Sequence, residues 1–184
     1  MRDRDYYRNS GGGITLSGGE PFLQIEGALE LLRMSKESGL HTAVETSGQV
    51  DPKQFARAIA LVDLFLFDVK HCDLAVLKKV TGGDLGRILE NLGAAAKSSP
   101  EKVLIRVPVI PKFNDDAETM NGIFKIAVEN RVSAVQLLPY HTLGKGKYTK
   151  LGIDYPYDSD IPMMKKEQLA PFLKIGQARG LTMI

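Results

Sequence analysis

The sequence predicts an α/β protein on a parallel sheet, arranged as an open doubly wound sheet or as an incomplete (β/α) barrel. Five short apolar runs, 14–17, 42–46, 64–69, 103–109 and 134–138, alternate with segments of helical period along the chain. Each run is nearly continuous in Val, Ile, Leu or Phe, the pattern of strands covered on both faces. The connections are short, so successive strands should lie parallel and be joined by right-handed crossovers.

The first strand sits between Gly11-Gly12-Gly13 and Gly18-Gly19-Glu20-Pro21. Glycine lets a backbone approach a ligand closely because no Cβ intervenes. The helix that follows ends near Ser38, with Gly39 as its stop. The second strand closes in Glu45-Thr46-Ser47-Gly48, and Asp51-Pro52 supplies an N-cap with proline at the first helical position. The third closes in Asp68-Val69-Lys70-His71, and Asp84 is the next helix start. The fourth carries Arg106 inside an apolar run. Asn114-Asp115 then signals a helix whose apolar face is Met120, Ile123, Phe124, Ala127 and Val128. The fifth runs into Leu137-Leu138-Pro139-Tyr140-His141, residues 143–160 form the one long irregular stretch, and 165–180 is the last helix.

With 184 residues and no linker, low-complexity tract or repeat, residues 1–184 are expected to form one domain. Apolar content of 43% and charged content of 25% are those of an ordinary soluble protein. No apolar run approaches the roughly 18 residues of a membrane helix, and Met1-Arg2-Asp3-Arg4-Asp5 has no signal-peptide core. The expectation is a cytoplasmic protein without a membrane partner. A net charge of +2 without a basic stripe argues against a nucleic-acid partner. Cys72 is the only cysteine, which excludes an internal disulfide and any cysteine-only iron–sulfur site on these residues. The three histidines, none at ligand spacing from another, speak against a metal-dependent hydrolase.

In a parallel sheet the strand ends lie side by side on one face, so Glu20, Glu45, Asp68, Lys70, Arg106 and His141 should line one cleft. Each has a plainer reading alone: Asp68 and Lys70 as an ion pair, Glu45 as a cap, His141 as a loop imidazole, Arg106 as a bridge to a carboxylate. His41, at a strand start away from that face, reads as structural. Together, the groups are unfavourable to bury unless they pair or bind something. They suit a ligand with an amine, a carboxylate and hydroxyls.

Several motifs resemble those of the activating enzymes of glycyl-radical enzymes, a radical S-adenosylmethionine (SAM) family that includes pyruvate formate-lyase activating enzyme. They are S-G-G-G-I-T-L-S-G-G-E-P at 10–21, E-T-S-G at 45–48, D-V-K at 68–70, I-L-E-N-L at 88–92, R-V-P-V-I-P at 106–111 with N-D at 114–115, and L-L-P-Y-H-x-L-G-x-x-K-Y-x-x-L-G at 137–152. The family often has glycine where this chain has Lys112, and related sequences carry Asp in place of Glu45.

The resemblance implies an incomplete parallel barrel of the radical SAM type, with about five βα units and the first unit missing. It implies that Gly18, Gly19 and Glu20 hold the SAM amino group, largely through backbone carbonyls. Asp68 and Lys70 would meet the ribose and methionyl carboxylate region, and His141 the ribose–adenine end. Glu45, Thr46, Asp68 and the Leu66 carbonyl match positions that hold a monovalent cation in some members, and Arg106 matches a residue facing the docked glycyl-radical peptide.

The family's reaction also needs a [4Fe–4S] cluster on a C-x3-C-x2-C motif, from which one electron cleaves SAM to methionine and a 5′-deoxyadenosyl radical. Cys72 matches none of those cysteines. The expectation is a portion of an activase, catalytically silent alone, whose partners are a glycyl-radical enzyme and the missing N-terminal cluster-bearing segment. The alternative is a non-catalytic partner-binding or regulatory module derived from such a barrel. The first strand should expose an edge, covered by residues 1–10 or by an edge-mediated dimer. Lys145, Lys147 and Lys150 read as solvated loop residues that could also guide an acidic partner.

Overall fold

The computed structural model describes Tyr7, residues 9–154 and residues 161–184. Six strands form one sheet in sequence order, β1 to β6, every neighbouring pair parallel. They are β1 (Gly13–Leu16), β2 (His41–Thr46), β3 (Leu64–Asp68), β4 (Val103–Val109), β5 (Ala134–Pro139) and β6 (Thr182–Met183). The helices are α1 (Ile25–Glu37), α2 (Pro52–Ala58), α3 (Leu74–Thr81), α4 (Leu85–Ser98), α5 (Ala117–Glu129), α6 (Lys145–Leu151) and α7 (Ala170–Ala178). The strand order never reverses and β1 does not pair with β6, so the architecture is an incomplete (β/α) barrel.

Caps set the helix starts. Asp51 accepts from Lys53 N and Gln54 N, and Asp84 from Arg87 N, both as the sequence predicts. Asp73 caps α3, which periodicity does not announce, by accepting from Val76 N. Asp116, not Asn114-Asp115, caps α5 by accepting from Thr119 N. The Asn114 side chain is instead fully buried, accepting from Ile110 N and donating to the Lys70 and Pro108 carbonyls. It ties the ends of β3 and β4 together.

Three further expectations are corrected. The sheet has a sixth strand, β6, joined to β5 by the Ala134–Thr182 and Val135–Met183 register. Residues 145–151, expected to be irregular, form α6, which stops at Gly152 with φ +64°. Residues 155–160 of that stretch, the side chains of Lys145 and Lys147, and most of 1–10 lie outside the described residues. The strands are also not covered on both faces. In β4, Val103, Ile105, Val107 and Val109 are buried while Leu104, Arg106 and Pro108 are half-buried. One face packs on helices, and the other lines the open interior of the partial barrel.

The helix-side core centres on Phe55, whose ring lies 5.5 Å from Phe22, 5.4 Å from Phe65 and 6.1 Å from Phe67. This cluster anchors α2, β3 and the 3-10 turn Pro21–Gln24 behind the strand ends. Truncating a buried phenylalanine of this kind costs about 3–5 kcal/mol. Gly48, with φ +70°, sits where any Cβ would strike the Phe67 ring, so the E-T-S-G turn requires glycine by both conformation and space. Asn91, buried in the I-L-E-N-L segment, donates to the carbonyls of Gly48 and Val50 and fixes the same turn. No helix of the described residues is long and apolar enough to cross a membrane.

Candidate functional site

The β1 and β2 ends are joined by one carboxylate. Glu20 Oε1 accepts from Thr46 Oγ1 at 2.7 Å and from Phe22 N at 3.4 Å, while Oε2 accepts from Ser47 N at 2.9 Å and Ser47 Oγ at 2.7 Å. The Glu20 side chain is therefore spent on the fold, and what this turn can offer a ligand is backbone. Gly18 has φ +112°, a conformation that side-chain-bearing residues rarely adopt. Thr46 belongs to the same brace, its hydroxyl donating to Glu20 and accepting from Gly48 N. Thr46 lies on the helix side of the sheet, opposite Glu45, as the period of 2 requires.

On the interior face, registry places Glu45 beside Leu66 and Asp68 beside Arg106, with Gln136 next to Arg106. Arg106 Nη1 donates to Glu45 Oε1 at 2.6 Å, and Ser17 Oγ donates to Glu45 Oε2 at 2.6 Å. Lys70 Nζ donates to Asp68 Oδ2 at 2.9 Å. Two carboxylates are thus each neutralised by one cation. Yet among the described residues Asp68 Oδ1 and Arg106 Nε are buried and without a hydrogen-bond partner. Asn91 Oδ1 is likewise open on the helix side of the sheet; on the interior face the acceptor Asp68 Oδ1 and the donor Arg106 Nε on neighbouring strands are available to a ligand.

A cavity of about 650 Å³ opens at these strand ends, lined among others by Gly19, Ser47, Gln49, Asp68, Lys70 and Tyr148. Of the residues singled out from sequence, Gly19, Asp68 and Lys70 line it, and Glu45 and Arg106 stand beside them on the interior face. Gly18 and Glu20 flank Gly19 in the chain but are not among the lining residues; Glu20 lines a separate groove of about 440 Å³ on the other side of the turn. His141 is exposed beyond β5 and is not among the lining residues. No three His, Cys, Asp or Glu side chains among the described residues converge as a metal cluster would require.

Sequence reasoning missed Ser17, Ser47 and Asn114, although each is next to a strand end. A polar residue at a strand terminus within an otherwise apolar run is the signal that would have found the first two. Cys72 is half-buried, its thiol donating to the Thr119 carbonyl at 3.6 Å and packing where a Gly122 Cβ would stand. Burial pushes that thiol's pKa up from its ordinary range, the direction that favours the protonated form.

A bound molecule here would meet backbone from the glycine turn, one open carboxylate oxygen, an ammonium and a guanidinium. That set complements a zwitterion carrying hydroxyl groups.

The family model described as the radical SAM superfamily matches residues 4–121. The chain is 44% identical over 156 residues to the isethionate sulfite-lyase activating enzyme of Oleidesulfovibrio alaskensis (strain G20), covering 84% of this chain and 50% of that protein. It is 40% identical over 181 residues to the 4-hydroxyphenylacetate decarboxylase activating enzyme of Clostridioides difficile (strain CD196), covering 98% of this chain and 57% of that one. It is 38% identical over 175 residues to the pyruvate formate-lyase-activating enzyme of Clostridium pasteurianum, covering 91% and 70%. The chain spans about half the length of the first two relatives. A crystal structure of a domain of pyruvate-formate lyase-activating enzyme from Bacteroides vulgatus ATCC 8482 shares the fold, with a TM-score of 0.76 at 23% identity over 94% of this chain and 98% of that one.

Proposed function

The chain belongs to the radical SAM superfamily, among the activating enzymes of glycyl-radical enzymes, and from that premise we propose that residues 1–184 form one domain, the SAM-holding and partner-facing part of an activase. The observation that carries this is the pair of open buried atoms, Asp68 Oδ1 and Arg106 Nε, on register-paired residues at a cavity that Gly19 and Asp68 line. These residues fit SAM, a zwitterionic amino acid joined to a nucleoside. In this reading the Gly18, Gly19 and Glu20 carbonyls take the ammonium, Lys70 the methionyl carboxylate and Asp68 a ribose hydroxyl. His141 covers the adenine end, and Arg106 faces the partner's backbone. Glu45, Thr46, Asp68 and the Leu66 carbonyl remain the candidate set for a monovalent cation, in which Thr46 would serve through its backbone carbonyl because its hydroxyl is held by Glu20 and Gly48 N.

The superfamily's second group, a [4Fe–4S] cluster, supplies the electron that cleaves SAM. The residues present do not fit it, since three cysteines are required and Cys72 is one, half-buried. The chain alone is therefore expected to bind SAM and leave it intact, with a glycyl-radical enzyme as the protein partner of the full activase.

Calorimetry with SAM and with S-adenosylhomocysteine tests the binding. Saturable binding of both is expected, weakened at least tenfold in Asp68→Ala. No binding, or binding indifferent to Asp68, would overturn the reading. Dithionite-dependent release of 5′-deoxyadenosine by the chain alone would contradict its silence.

A further inference from the structure

The cavity at the strand ends has a second wall that the SAM reading does not use. Gly19, Asp68 and Lys70 take the ligand groups on the strand side. The helix side is made by Leu77 and Thr81 of α3, Gly83 in the following turn and Ile88 of α4, with Gln49 and Tyr148 beside them. Leu77 and Ile88 are buried. The Thr81 hydroxyl donates to the Leu77 carbonyl at 2.8 Å and accepts from Gly83 N at 3.1 Å, and Gln49 Oε1 accepts from Asp84 N at 2.7 Å. With those oxygens engaged, this wall offers an incoming group mostly hydrocarbon. Gly83 keeps the slot open: a Cβ there would stand 3.0 Å from Thr81 Oγ1 and 3.6 Å from Leu77 Cδ2.

The apolar surface continues outward along α3. Leu74, Leu77 and Val80 recur every third residue, and Val76 stands one turn before Val80, so the four share one side of the helix. Only Leu77 is buried; Leu74, Val76 and Val80 are 59%, 37% and 50% exposed. The charged residues of α3 are Lys78 and Lys79, and Lys150 of α6 follows Tyr148 by two positions. All three lysines are exposed, and none makes an ion pair among the described residues. The acids nearest α3 in sequence, Asp73 and Asp84, serve as helix caps. A contiguous exposed apolar strip that runs into an open slot and is bordered by cations has the composition of an interface.

We propose that the slot and the exposed flank of α3 receive one acidic segment of the glycyl-radical partner. An apolar side chain of that segment enters between Leu77, Gly83 and Ile88, and its carboxylates meet Lys78, Lys79 and Lys150. The inference rests on the activase reading and adds to it a docking determinant apart from the strand-end groups. The strip from Leu74 to Val80 runs about 9 Å along the helix and leads out of the cavity, where a cofactor held at Asp68 and Lys70 does not reach. The cations border the strip outside the slot, which suits carboxylates flanking an apolar anchor.

The test is biolayer interferometry of the immobilised chain against the 4-hydroxyphenylacetate decarboxylase of Clostridioides difficile, whose activating enzyme is 40% identical to this chain. Saturable binding that weakens as salt rises is expected. Affinity should fall at least tenfold in Gly83→Leu, which fills the slot, in Val80→Asp, and in the double variant Lys78→Glu with Lys79→Glu. Val128→Asp, at an exposed apolar position on α5, should bind as the unaltered chain does. Circular dichroism establishes that each variant folds, and SAM calorimetry should give the same affinity for all of them. No binding by the unaltered chain, or equal binding by Gly83→Leu and Val80→Asp, overturns the inference. Loss of SAM affinity in Gly83→Leu overturns it too, by giving the slot to the cofactor. SAM binding by the unaltered chain and its dependence on Asp68 judge the activase reading separately.

Discussion

Glu45 and Arg106 meet at 2.6 Å across a strand to which neither belongs. Glu45 is on β2 and Arg106 on β4, and the bridge passes over Leu66 of β3, the register partner of Glu45. Ser17 at the end of β1 holds the other carboxylate oxygen. Three strands, β1, β2 and β4, are therefore tied on the interior face by one carboxylate that reaches over β3. That face lacks the tight apolar packing of the helix side, so polar bridges take over the work of fixing the strand ends.

Breaking that bridge from one side strands its partner. The side chains of Arg106 and Glu45 are 18% and 33% exposed, so water recovers part of the loss. Glu45→Gln or Arg106→Met should each cost about 1–2 kcal/mol in urea denaturation, less than the 3–5 kcal/mol of a fully buried pair. The double variant should lose less than the sum, and a double-mutant cycle that gives no coupling would remove the bridge from the account.

The Glu20 carboxylate accepts four hydrogen bonds, two of them at a single oxygen from Ser47. Glu20→Gln places an amide where acceptors are needed, and one arrangement or the other leaves donors facing donors. The expected loss is about 1–3 kcal/mol, with SAM affinity falling because Ser47 and Gly19 line the cavity. Urea midpoints and calorimetry on the same variant check both halves.

Much of this is legible in the sequence. The strand ends could be found because β-branched runs stop abruptly at glycine or acid, and the D-V-K spacing put Asp68 and Lys70 on one face, where they pair. What stayed hidden was long-range pairing of short polar side chains. Nothing local in Ser17 or Ser47 says that a carboxylate 28 or 27 residues away will claim it. Asn91 was more accessible, since an amide amid Ile88, Leu92 and Ala95 on a buried helix face must find carbonyls. The strand β6, two residues long, carries too little pattern for any periodicity to register.

Acid stability should carry the signature of Asp63 at the opposite end of the sheet. Burial opposes its ionisation, but hydrogen bonds from Lys36 and from Thr42 N and Oγ1 outweigh that and bring its pKa down to about 2. A carboxylate depressed in the folded state stabilises it above the unfolded value near 4, and that contribution disappears as pH falls toward 2. At most about 2 kcal/mol is involved. Asp63→Asn should flatten the loss of stability between roughly pH 4 and pH 2; a variant with an unchanged acid limb would assign that limb to other groups.

Lys112 explains a departure from the family pattern and yields the last prediction. It follows Ile110-Pro111 and has φ +63°, the left-handed region that favours glycine. Its backbone N–H donates to Asp115 Oδ1 at 2.7 Å, so the turn is held in that conformation by the N-D segment that follows. A non-glycine residue there costs roughly 1–2 kcal/mol, partly offset because glycine gives the unfolded chain more freedom. Lys112→Gly should therefore stabilise the chain by about 0.5–1 kcal/mol. Lys112→Ala, which keeps the Cβ, should leave stability within about 0.5 kcal/mol of the unaltered protein. Matching thermal midpoints for the glycine and alanine variants would show that the turn carries no strain; a gain confined to glycine places the cost in the backbone rather than in the lysine side chain.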